Sequence, residues 1–217
     1  MLRLLAASLA AAVLLTGCSS ADDWSDSRPV PAPIGALGAG FSDPSSPPAP
    51  EATITPRPGS WDGVHPPEDY RVVLLTLGAD APAKAVADAV RSWATAEKVS
   101  LRTVEADAAH PVDGIVEAIT MKPDLVISAG NDLVDALALV TASHLDQQFL
   151  IVGAEIAEPT GNVTAADWTG AGFRGEGLGS PSAYDPASFT PARCASAVRA
   201  GVAAVLHGLT GIVVWVG

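Results

Sequence analysis

The chain is 217 residues long, 48% hydrophobic and 17% charged, and it carries 24 Asp and Glu against 12 Lys and Arg for a formal net charge of -12. Such a composition excludes a disordered polyelectrolyte. The acidic balance excludes nucleic acid as a partner and excludes electrostatic adsorption to anionic lipid, because both need clustered basic side chains. In chain order, Arg3 gives a short positive region and Leu4 to Leu15 an apolar run. That is a secretory signal over residues 1–17, too short to span a bilayer. No later run of the sequence is long and apolar enough to span either.

Leu15-Thr16-Gly17-Cys18-Ser19-Ser20 closes the signal with a cysteine at the cleavage site. The motif resembles the bacterial lipobox, which implies diacylglyceryl transfer to the Cys18 thiol and cleavage before it. Each buried methylene contributes about 0.8 kcal/mol, so two acyl chains anchor stably where one is marginal. The resemblance implies an extracytoplasmic protein held at the cell membrane by its lipid. Removing residues 1–17 removes Arg3 and no acidic residue, which leaves the mature chain one unit more negative. Cys194 then has no disulfide partner and is expected as a small buried thiol in a helix.

Residues 18–69 are punctuated by Pro29, Pro31, Pro33, Pro44, Pro47, Pro48, Pro50, Pro56, Pro58, Pro66 and Pro67. No period of two or of 3.6 survives there. The composition predicts an extended, disordered spacer, and some fifty residues at about 3 Å each reach over about 100 Å. Trp24, Phe41 and Trp61 are unusual in such a spacer, and either dock on the folded body or stand exposed.

From Tyr70 the pattern is periodic. Arg71 to Leu77 reads as a strand buried on both faces. Asp80-Ala81-Pro82 opens a helix with Val86, Ala89, Val90 and Trp93 on its core face. Leu101 to Ala106 is a second strand. Pro111 starts a second helix with Val112, Ile115, Val116 and Ile119 as its stripe, ending at Pro123. Asp124 to Gly130 is a third strand, and Asn131 or Asp132 is expected to cap a third helix running to about Leu145. Phe149 to Gly153 and Asn162 to Trp168 are two more strands. After an irregular stretch, Thr169 to Phe189, Thr190-Pro191 begins a helix carrying Cys194, Val198, Val202 and Val205, and Ile212 to Val216 is a last strand. Strands alternating with helices define an α/β fold, a doubly wound parallel sheet, over residues 70–217.

Walker A, H-E-x-x-H and G-x-S-x-G sequences do not occur in the chain. His65, His110, His144 and His207 are scattered near element ends, with no metal-ligand spacing. Gly170-Ala171-Gly172-Phe173-Arg174-Gly175 spells G-x-G-x-x-G, but Glu176-Gly177-Leu178-Gly179-Ser180-Pro181 follows it. A dinucleotide site needs that turn to run straight into a helix. A flexible loop is expected instead, with no cofactor. Ligands of open α/β sheets bind beyond the carboxyl ends of the strands. There Asp80, Asn131 and Glu155 offer acceptors for hydroxyl groups, and Trp168 a flat stacking face. That set suits a neutral polyol or nucleoside. Helix capping is the competing role for Asp80, Asn131 and Asp132.

The segment Asp124 to Gly130 with Asp135-Ala136, the strand Phe149 to Glu155 and the start Asn162-Val163 resemble the basic membrane protein family of substrate-binding lipoproteins. That family is the purine-nucleoside-binding branch of the type I periplasmic binding fold. Ala200 to Ala204 with Thr210 to Val213 is similar to the family's crossover helix and the first strand of its second lobe. The resemblance covers about residues 70 to 217. It implies a non-enzymatic solute-binding protein of an ABC importer, with a nucleoside or other neutral solute as ligand and a permease as partner. The chain stops one strand into the family's second lobe, so a single-lobed, weakened binder is expected. The alternative is a cell-surface protein–protein interaction module with no small-molecule ligand.

Overall fold

The computed structural model describes Trp24 and residues 29–217. The expected signal over residues 1–17 and the expected lipidation site Cys18 lie outside the described residues. Seven strands and four α-helices follow in the order β1 (Thr53–Ile54), β2 (Arg71–Leu77), α1 (Ala81–Ala96), β3 (Ser100–Ala106), α2 (Pro111–Thr120), β4 (Leu125–Ala129), α3 (Val134–Thr141), β5 (Phe149–Val152), β6 (Val163–Asp167), α4 (Pro191–Leu206) and β7 (Val213–Trp215). All pairings are parallel, in the sheet order β1-β7-β6-β5-β4-β2-β3. The α/β, doubly wound expectation holds.

Strand β2 shows why. Successive side chains of a strand point to opposite faces. Val72 and Leu74 join the core beneath α1 and α4, while Val73 and Leu75 join the core that includes Ile115 of α2 and Leu137 of α3. A strand with two apolar faces needs a helix layer on each. Asp80, three residues past the end of β2, is the N-cap of α1, its carboxylate accepting from Ala83 N at 2.9 Å. Thr190 caps α4 by accepting from Arg193 N at 3.3 Å. Cys194 is buried in α4, and burial pushes its thiol up to about 11.

Four expectations are corrected. The Pro-rich segment is not an open spacer over its described length. Phe41, Trp61 and Val64 are buried in the α1–α4 core, and β1 adds an edge strand beside β7. Ile34 and His65 exchange backbone hydrogen bonds at 2.8 and 2.9 Å. His65 pairs with Glu97 at 2.8 Å, and Asp62 with Arg199 at 3.1 Å. Proline removed the periodic pattern without removing the aromatic groups, each worth about 1.5–3 kcal/mol on full burial.

The second correction concerns β7. It pairs with β6 in the same sheet and does not begin a second lobe. Its parallel register with β6 follows from the α4 crossover, which packs back on the sheet against α1 and β6.

In α2 the buried face is Gly114, Ile115 and Ala118, while Val112 and Val116 are exposed. The helix axis lies too close to β3 for a wide apolar stripe: a Cβ at Gly114 would fall 2.7 Å from the Ala106 Cβ. Finally, α3 is capped by neither Asn131 nor Asp132. Its N-cap is Leu133, with no side-chain capping bond.

Candidate functional site

The sheet order reverses between β2 and β4, so the carboxyl ends of those two strands flank the topological switch point. Gly78 and Gly130 leave these strands with φ of +72° and +80°. A side chain at Gly78 would meet the Asp132 carboxylate at 3.3 Å, and one at Gly130 would meet Ala83 of α1 at 3.3 Å. Both turns therefore need glycine to bring backbone close to the crevice. Asp80 and Asp132 are exposed there and Asn131 is half-buried. Burial and the neighbouring Asp80 raise the Asp132 carboxyl above its usual range. Burial first, and then the same two carboxylates, raise the Tyr184 phenol, whose ring centroid lies 5.9 Å from that of Phe189.

The other half of the carboxyl edge is closed. Residues 169–189 fold back across the ends of β5 and β6 as a strap. Gly172 N donates to Asp167 Oδ1 at 3.1 Å, Trp168 N donates to the same oxygen at 2.8 Å, and Glu155 N donates to Phe173 O at 2.9 Å. Glu176 N donates to Asp135 at 3.0 Å, and the Ser180 hydroxyl donates to Gly172 O. The G-x-G-x-x-G segment lies inside this strap. Its amides serve the protein itself, with Gly170 N on Ser182 Oγ at 2.9 Å, and it enters no helix.

The four expected ligand residues thus divide. Asp80 and Asn131 stand at the open half, Asp80 with its capping bond. Glu155 is buried and faces Arg174, whose Nε lies 3.3 Å from its Oε1. Burial raises its carboxyl while Arg174 opposes the shift. Trp168 is fully buried, donates from Nε1 to Ser188 Oγ at 3.0 Å, and meets Phe189 edge-on at 4.9 Å. Its ring packs inward and offers no stacking face.

Sequence reasoning did not single out Asp132 and Tyr184 as ligand residues, nor Asp167 for any role. Asp132 reads equally as a helix cap, and Tyr184 lies in a loop with no periodicity. Asp167 is fully buried, and burial pushes its carboxyl up to about 7, opposed by the two amides and assisted by Glu155. A cavity of about 180 Å³ lies beside the open half, among Thr76, Gly78, Ala79, Ala83, Lys84 and Glu105. Small-molecule sites usually enclose about 300–1,000 Å³, so a solute here keeps part of its surface in water.

No family model matches the chain, and no curated protein matches it. Solved structures do. A fragment of a candidate lipoprotein from Peptoclostridium difficile 630 is similar at 17% identity and a TM-score of 0.46, over 63% of this chain and 98% of that one. An ABC transporter solute-binding protein from Aeropyrum pernix K1 is similar at 17% identity and a TM-score of 0.40, over 46% of this chain and 29% of that one. A periplasmic ribose ABC transporter protein from Conexibacter woesei DSM 14684 is similar at 16% identity and a TM-score of 0.37, over 69% of this chain and 54% of that one. The chain spans at most about half the length of the two transporter proteins. The class that the topology itself defines is a doubly wound α/β domain with an acidic crevice at its switch point.

Proposed function

We propose that this protein is a lipid-anchored, extracytoplasmic binding lobe related to the solute-binding components of ABC importers. It acts by capture and not by catalysis. Its ligand is a neutral polyol or nucleoside, and a permease is its onward partner. The observation that carries this reading is the open half of the carboxyl edge. There Asp80, Asn131 and Asp132 stand at the switch point, just past the glycine turns at Gly78 and Gly130. Asn131 and Asp132 make no side-chain capping bond to α3, and the Asp132 carboxylate lies beside Gly78 across the switch point. Glu155 and Trp168 support the strap that walls the site.

Affinity follows from the count of groups. Four polar contacts at about 1 kcal/mol each supply about 4 kcal/mol, close to millimolar binding, whereas micromolar binding needs about 8 kcal/mol. Calorimetry of the mature chain against a panel of nucleosides and sugars should give binding no tighter than about micromolar. Asp132→Asn and Asn131→Ala should weaken it further without lowering the melting temperature. Nanomolar binding, or binding unaffected by both variants, would place the site elsewhere.

A specific observation favours a second reading. The strap exposes Leu178 and Tyr184, which suits a protein–protein interaction module. Heat from no member of the panel would favour that reading over solute capture.

A further inference from the structure

Trp24 is the one described residue ahead of Pro29, and it is firmly seated. Its side chain is 3% exposed, in the same core as Val73, Val104 and Ala118. Its Nε1 donates to Ser100 Oγ at 3.2 Å, and its carbonyl accepts from Arg71 Nη1 at 3.0 Å. The Arg102 guanidinium lies 4.2 Å from the ring centroid and that of Arg71 6.0 Å. Arg71 and Ser100 are register partners and the first residues of β2 and β3. Trp24 is therefore fixed at the amino edge of the sheet, at the far end from the crevice.

Cys18 is six residues before Trp24. Whatever their conformation, six residues span at most about 20 Å. An undocked spacer of some fifty residues would reach over about 100 Å. Strand β3 alone, seven residues long, measures about 23 Å. The leash is thus shorter than the sheet it holds.

We propose that Trp24 locks the lipid-bearing end of the chain onto the amino edge of the sheet, so that the body rests on the bilayer surface with its carboxyl edge directed away from the lipid. The proposal rests on the reading of Cys18 as the lipid attachment site. Charge favours the same orientation. The turns of the amino edge mix exposed Lys98 and Lys122 with Glu68, Asp69 and Asp146, and add the exposed Leu145. The carboxyl edge presents Asp80, Asp107, Asp132, Asp135 and Asp185, all exposed, which anionic headgroups repel. The crevice at the switch point thereby faces outward, where a solute or a protein partner arrives.

The test uses two labels that bracket one strand. Lys98→Cys and Ala108→Cys lie just before and just after β3, both exposed, and the native Cys194 is fully buried and does not compete for the label. Each variant is expressed as the full chain, lipidated, reconstituted into anionic vesicles and labelled with a donor dye against acceptor lipids. Transfer from position 98 should exceed transfer from position 108 several-fold. Inserting about twenty Gly and Ser residues between Ser20 and Trp24 lengthens the leash without touching the fold, and should lower the ratio toward unity. Trp24→Ala should lower the ratio in the same direction. Equal transfer from the two positions in membrane-bound protein, or a ratio that survives the insertion, would overturn the proposal alone. Protein recovered in the aqueous phase with Cys18 intact would overturn the anchor reading, and the proposal with it.

Discussion

Asp167 shows how one side chain couples the strap to pH. It ends β6 with no exposed surface, holds Trp168 N and Gly172 N on one oxygen, and has Glu155 with its Arg174 partner nearby. Its second oxygen has no hydrogen-bond partner among the described residues, and burial pushes the carboxyl up to about 7, so the folded chain keeps this proton at higher pH than a free carboxyl does. The unfolded chain releases that proton near pH 4. Between those values the folded protein holds one more proton, so stability present in acid is lost as pH rises through about 7. The slope is at most about 1.4 kcal/mol per pH unit. Urea titrations at pH 5 and pH 8 should therefore find the wild-type protein less stable at pH 8. Asp167→Asn keeps the accepting oxygen and removes the charge, so it should flatten this dependence and be the more stable protein at pH 8. A wild-type profile with the opposite slope would show that Asp167 ionises freely beneath the strap.

At the scale of elements, the Pro-rich segment is the largest departure from the sequence reading. Proline fixes φ and removes amide donors, so neither strand nor helix periodicity can arise there. Stability comes instead from a few long-range contacts. Phe41 is 2% exposed, and the segment's turns are stitched by Gly38 N to Ser60 O and Arg57 N to Gly40 O. Gly35 shows how tightly the turns pass, since a Cβ on it would collide with Gly63 O. Phe41→Ala should cost about 3–5 kcal/mol in a denaturant melt. Limited proteolysis should leave residues 34–67 attached to the domain. Rapid trimming to a fragment beginning near Tyr70, with the melting temperature unchanged, would contradict that packing. A signal was present in the sequence: Phe41 and Trp61 are costly to expose in a solvated spacer.

On the scale of the whole molecule, the α/β body has the acidic edge with the switch point and the edge that seats Trp24 at opposite ends of one parallel sheet. Among the described residues no helix is long and apolar enough to cross a membrane, so on the reading proposed above the lipid on Cys18 holds the body at the bilayer. Cys18→Ser should move the protein from the detergent phase to the aqueous phase. Unchanged membrane association of that variant would refute the lipid anchor.

What the sequence determined by itself was local. Apolar runs specified β2 and β4 to β6, 3.6-residue spacing specified α1 and the buried Cys194 face of α4, and Asp80 and Thr190 announced their helix starts, because each of these depends on neighbours within a few residues. Asp80 and Asn131 were legible as crevice residues because a strand's carboxyl end is fixed by the strand itself. Tertiary structure decided the rest. The place of β7 beside β6, the docking of Trp24 and Phe41, and the strap that turns Trp168 inward all depend on contacts between residues far apart in the chain. Such contacts are chosen by the competition of whole surfaces for burial, and no local pattern in the sequence encodes the outcome of that competition.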